Sequence, residues 1–180
     1  QRPVGDRVKT DARDAALLAR LLHLGQIVEV RVPSAGQEAA RDLVRSREDC
    51  RGDLMCVRHR ISKFLLRQGI VYYGGQAWTG AHEMWLRGQR FDNPALRLTF
   101  ESALDAMVTC AHRRDRLDEA ITAMASASEF TPVVTRLACL RGISTLTGFG
   151  LAVEIGDWHR LTGRSIGAYL GLVPTESSSG

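Results

Sequence analysis

The sequence predicts a mainly α-helical protein built around a long coiled-coil hairpin. Two segments, 37–68 and 94–128, repeat apolar residues at heptad spacing. A glycine-bearing turn near Gly142 separates two shorter helical patterns, and IVEVRV (27–32) alternates like a short strand before Pro33. These observations divide the chain at 1–34, 35–130 and 131–180.

The first helix is expected over 11–24, with Thr10 as N-cap and Gly25 beyond its end as C-cap. Asp11 and Asp14 fall in its first turn, where a helix favours negative charge. Residues three apart also project from one face, so the pair could form half of a metal site. That face continues through Leu17, Leu18, Leu21 and Leu22, which reads as a buried stripe. Carboxylates at the edge of a core are costly unless paired or bound to a cation. Both readings, capping acids and metal ligands, remain open at this level.

In 37–68, Leu43, Cys50, Val57 and Phe64 occupy one heptad position, and Arg47, Leu54, Ile61 and Gln68 the other. Pro94 marks a helix start, and Leu96, Phe100, Ala103, Met107, Cys110, Arg114, Leu117, Ile121 and Met124 follow at alternating steps of four and three. Two such helices imply an antiparallel coiled coil, within one chain or between chains. Cys50 and Cys110 are then seam residues, and Arg47 and Arg114 interrupt the seams. Between the helices, Gly74 and Gly75 mark a turn, and His82 and Glu83 sit among Trp78 and Trp85. A packed hairpin tip explains that cluster better than a catalytic site.

Past Pro132, a helix over 133–140, Gly142 and a second helix from Ser144 or Thr145 match a helix–hairpin–helix arrangement. Amides at Gly142, Ser144 and Thr145 could hold a DNA phosphate without reading bases. A plain αα-hairpin fits the same pattern. Residues 157–169 give one more turn and helix, ending at Gly171.

With 180 residues the chain can bury a sizeable core, and no apolar run approaches the ~20 residues of a membrane span. The four cysteines have no CxxC spacing, so a reduced cytoplasmic setting is expected and a zinc site is not. Between Arg41 and Arg67, eight basic residues stand against four acids, an excess equal to the +4 of the whole chain. Such a stripe, including Arg41, Arg45, Arg58 and Arg60, suits a nucleic-acid backbone, as it also suits a solvated helix face.

Four pieces in order resemble a known family. KTDARDAALLARLL looks like a last acidic motif, VRVPSAGQEAARDLVRSRED like a linker and first coiled-coil arm, LRGISTLTGFGLAVEIGD like the start of a serine domain, and GLVPTESSSG like a nucleophile motif. Together they resemble the bridge-RNA-guided insertion-sequence transposases, which join a resolvase-like DEDD domain to a C-terminal serine domain.

The resemblance implies that 1–34 is the end of an α/β resolvase-like domain, and that Asp11 and Asp14 are the third and fourth acids of a Mg²⁺-binding tetrad. It implies that Ser179, five residues after Pro174, is the nucleophile. The first two acids of the pattern would lie upstream of Gln1, so the chain reads as part of a longer enzyme and alone should not cleave DNA. Partners implied are double-stranded DNA, a structured guide RNA and further copies of the chain, as a dimer or tetramer, at the nucleoid of a bacterial cytoplasm. Two rivals remain: a non-catalytic nucleic-acid-binding or dimerisation module, and a metal-dependent nuclease without a serine step.

Overall fold

The computed structural model describes residues 10–27, 31–163 and 165–172. Among them the chain forms α1 (Asp11–His23), α2 (Ala35–Arg67), α3 (Gly80–Arg87), α4 (Pro94–Ser126), α5 (Thr131–Ala138), α6 (Thr145–Ile155), a 3₁₀ turn (Trp158–Arg160) and α7 (Ser165–Tyr169). The mainly α expectation holds, and no strand occurs among the described residues. The centre of IVEVRV lies outside them, while Ile27, Arg31 and Val32 have no regular structure. The chain divides into two compact units, 1–33 and 34–180.

In the first unit, the Thr10 side chain accepts a hydrogen bond from the Arg13 amide at 3.4 Å, as an N-cap should. Helix α1 has no buried residue. Leu18 and Leu22 are 58% and 69% exposed, so the stripe expected to be buried is not. The 3.6-residue period marks an apolar face correctly, but periodicity cannot say whether a partner covers it.

The second unit is organised by the hairpin. Ser34 Oγ caps α2 by accepting from the Gln37 amide at 3.1 Å. Asn93 Oδ1 caps α4 by accepting from the Ala95 and Leu96 amides, with Pro94 at the first helical position. Arg47 meets Asp118 and Phe64 meets Phe100, so residue numbers rise on one helix as they fall on the other. The coiled coil is therefore antiparallel and closes within the chain. Leu54, Val57, Ile61 and Phe64 of α2, with Phe100, Met107 and Ile121 of α4, are buried along the predicted seam. Cys50 and Cys110 are half-buried there.

Two apolar clusters sit along this hairpin. The tip cluster joins Leu54, Val57, Ile61, Phe64 and Leu65 to Leu86, Phe100 and Met107. The base cluster joins Ala40, Ile121 and Ala125 to Phe130, Val134, Phe149, Ala152 and Val153, so α5 and α6 share a core with the open end of the hairpin. Sequence reading gave the tip a glycine turn and a packed tryptophan cluster but no helix. The structure adds α3, capped by Thr79 and anchored by fully buried Leu86.

Candidate functional site

Asp11 is exposed and Asp14 half-buried on the first turn of α1. Two carboxylates offer at most four hard oxygen donors, which suits Mg²⁺ in kind, with waters or phosphates completing its six-coordinate shell. Among the described residues, no group of three or more His, Cys, Asp or Glu is placed to hold a metal. Leu17 and Leu21 are half-buried and Leu18 and Leu22 exposed, so burial alone gives these acids little reason to find a cation. Ser179 and Pro174 lie outside the described residues.

The α5–α6 connection is the tight glycine turn the sequence suggested. Gly142 takes φ +91°, a backbone region open to glycine and strained for other residues. The Ile143 amide donates to Leu140 O at 3.2 Å, and Ser144 caps α6 by accepting from the Thr147 amide at 3.2 Å. Ser144 and Thr145 are exposed beside Gly142 and Arg141. Gly148, one turn further, is buried, and a Cβ there would meet Ile143, Val134 and Leu137 at 3.6, 3.6 and 3.7 Å, an ordinary packing distance.

The basic stripe on α2 separates into two halves. Arg41 is largely buried, its side chain 16% exposed. Its Nε donates to Val153 O at 2.9 Å, Nη2 to Glu154 O at 2.8 Å and Nη1 to Glu38 at 2.6 Å. Arg45 forks onto the Glu154 carboxylate at 3.0 and 3.1 Å, and this partner holds its guanidinium above the ordinary arginine range. Gln37, one turn earlier and not singled out from sequence, donates to Val153 O at 2.8 Å. These three side chains lie four residues apart on one face of α2; Gln37 and Arg41 satisfy carbonyls at the C-terminal end of α6 that the helix itself leaves unpaired, and Arg45 adds the Glu154 carboxylate. Gly156 makes the arrangement possible, because a Cβ there would stand 2.1 Å from Gln37 Nε2.

Arg47 crosses the hairpin to Asp118 at 2.6 Å, and Arg51 binds Glu48 at 2.5 Å. Arg47, predicted to interrupt the seam, does so as a paired cation.

Arg58 is different again. Its guanidinium lies 5.2 Å over the Trp78 ring, and its Nε is buried without a hydrogen-bond partner. Burial, reinforced by repulsion from Arg114, lowers its pKa. Around it, Tyr72, Trp78 and Trp85 pack on His82 at centroid distances of 4.6, 4.9 and 5.5 Å. His82 is 5% exposed and its Nδ1 accepts from the Trp78 amide at 3.1 Å, with Trp78 at φ +66°. The packed tip is thus the correct reading of His82.

Burial, then the Arg58 charge, pushes the His82 pKa below its ordinary value. The unfolded chain therefore takes up the proton first as pH falls. The stability that His82 contributes is complete above the unfolded value near ~6.5 and is lost as pH falls through the lower folded value. Thermal unfolding followed by circular dichroism should show a midpoint falling below about pH 6.5. His82→Asn, which keeps a side-chain acceptor without titrating, should flatten that fall. An equal fall in the variant would assign the effect to other groups.

Comparison with known proteins bears on the same segments. Residues 134–180 match the model of the Transposase IS116/IS110/IS902 family. The chain is 36% identical, over 99% of its length, to a Sinorhizobium fredii (strain NBRC 101917 / NGR234) protein named as a transposase, y4qE, of which it covers 43%. It is 35% identical, over 85% of its length, to the transposase for insertion sequence element IS1533 of Leptospira borgpetersenii, of which it covers 45%. The chain thus spans less than half the length of the curated relatives it matches. No solved structure matches it.

Proposed function

From the chain's kinship with the insertion-sequence transposases of the IS116/IS110/IS902 family, we propose that it serves a DNA strand-transfer recombinase with a serine nucleophile. One observation carries this reading. The family match covers the segment that holds both the α5–α6 glycine turn and Ser179.

In this reading the Ser179 hydroxyl attacks a DNA phosphate. An Oγ–P bond forms as the bond from phosphorus to one deoxyribose oxygen breaks. The serine gives up its proton, and the displaced sugar oxygen gains one. A second DNA end then reverses the exchange through its own hydroxyl, freeing the serine and joining the strands. Asp11 and Asp14 would hold Mg²⁺ with acids from outside this chain. Bound there, the cation supplies charge neutralisation at the phosphate. Exposed amides near Gly142, Ser144 and Thr145 hold a flanking phosphate and keep the DNA in register.

Double-stranded DNA and a structured guide RNA are the partners, at the nucleoid of a bacterial cytoplasm. Self-association as a dimer or tetramer would bring the acids of one copy to the serine of another. Exposed Met55, Leu66 and Leu98 on the hairpin offer apolar surface for it. The test is a covalent protein–DNA adduct through Ser179, lost in Ser179→Ala.

A non-catalytic nucleic-acid-binding or dimerisation module is the second reading, favoured by a hairpin that closes its own core. Adduct formation would exclude it.

A further inference from the structure

The +4 of the α2 stripe is not spread along the helix. Over 41–53, four arginines face four acids, so that half carries no net charge. Every one of those arginines is engaged: Arg41 and Arg45 with Glu154 and the end of α6, Arg47 with Asp118, and Arg51 with Glu48. Over 54–67, Arg58, Arg60, Lys63 and Arg67 face no acid at all. Arg58 is turned inward onto Trp78. The whole excess that can reach a ligand therefore rests on Arg60, Lys63 and Arg67. Among the described residues these three are exposed and make no ion pair or hydrogen bond.

Their spacing places them together. Positions 60, 63 and 67 are three and four apart, hence on one face of α2, and at 1.5 Å per residue they span ~10 Å along the helix. They border a groove of about 400 Å³ lined by His59, Arg60, Lys63, Phe64 and Arg67 of α2 and by Thr99 and Ala103 of α4. No carboxylate lines it. Its largely apolar walls hold little competing polar surface, which strengthens the field of the cations above it.

We propose that this tip face, through Arg60, Lys63 and Arg67, grips a nucleic-acid phosphodiester backbone. The inference rests on the nucleic-acid reading above but moves the contact away from Arg41 and Arg45, whose donors hold α6. The chemistry recognised is a row of phosphates, which duplex DNA and structured RNA both present. Three unpaired cations in a ~10 Å row match backbone positioning and supply no base-reading geometry.

The test compares binding of the 180-residue chain to a short mixed-sequence DNA duplex and to an RNA hairpin across a salt series. With Arg60, Lys63 and Arg67 all changed to Gln, the slope of log K against log salt should shrink by about 1 for each side chain removed. The melting temperature should be unchanged, because all three are exposed. Arg60→Lys with Arg67→Lys should retain the slope, since charge is what is read. Arg41→Gln with Arg45→Gln should lower the melting temperature and leave the slope intact. The nucleic acid on which the triple variant loses slope is the backbone gripped; loss on both assigns the face to either.

A wild-type chain that binds with a steep slope which the triple variant keeps would overturn this inference alone. So would a slope lost only in the Arg41/Arg45 variant. A wild-type chain that binds neither nucleic acid would overturn the parent reading with it.

Discussion

Ser179→Ala should eliminate the covalent protein–DNA adduct and lower strand transfer on the order of 10⁴-fold or more, in a protein that also carries the two further acids the proposed site calls for. Loss of a nucleophile removes the intermediate itself, and what remains is binding and charge stabilisation. Ser177→Ala and Ser178→Ala should keep the adduct, because the family resemblance puts the proposed nucleophile five residues after Pro174, at Ser179. Asp11→Asn with Asp14→Asn separates the two readings of the acids. Thr10, not either aspartate, caps α1, so the double change should cost about 1 kcal/mol or less. If the pair holds Mg²⁺, strand transfer should nonetheless vanish while circular dichroism is preserved. Electrophoresis under denaturing conditions reads the adduct. Full activity in Asp11→Asn/Asp14→Asn would return these acids to the role of helix-start charges.

The parts of this fold legible in the sequence are those with a local period. Heptads reported the α2–α4 seam because a seam repeats every seven residues whatever lies beyond it. The cap at Thr10 and the helix starts at Pro94 and near Ser144 were legible for the same reason, since such signals act within about three residues. Contacts between distant segments were not. Arg41 and Val153 stand 112 residues apart, and nothing in AARDLVRSRED distinguishes an arginine that caps another helix from one that faces solvent. The stripe was therefore read as uniform when its first four arginines are ion-paired within the chain and Arg60, Lys63 and Arg67 are exposed. The same limit applied to α1, whose leucines looked buried because they were periodic. Of the candidate site, the glycine turn at 142 was legible, and its neighbours in space were not.

Phe149→Ala should be among the most destabilising single changes in the second unit. Phe149 is 0% exposed at the centre of the base cluster, edge-on to Phe130 at 5.7 Å and 83°. The same cluster includes Ala40, Ala125 and Ala152, whose short side chains let α6 sit close to α2 and α4. Alanines cannot swing into a vacated space, so removal of the ring leaves a cavity that the surroundings collapse around only partly. Loss of a buried Phe ring costs about 3–5 kcal/mol. In a domain of this size that lowers the melting temperature on the order of 10 °C. The polar contacts at the end of α6 should not compensate. The Arg45–Glu154 pair lies in solvent, which screens it, and the Arg41 and Gln37 bonds hold only the last turn. Loss should also be regional. Hydrogen exchange should quicken in α5 and α6 while Leu54, Ile61 and Phe64, packed in the separate tip cluster, keep their amides protected. Equal loss of protection at both ends would show that the hairpin behaves as one cooperative unit, with α6 integral to its core.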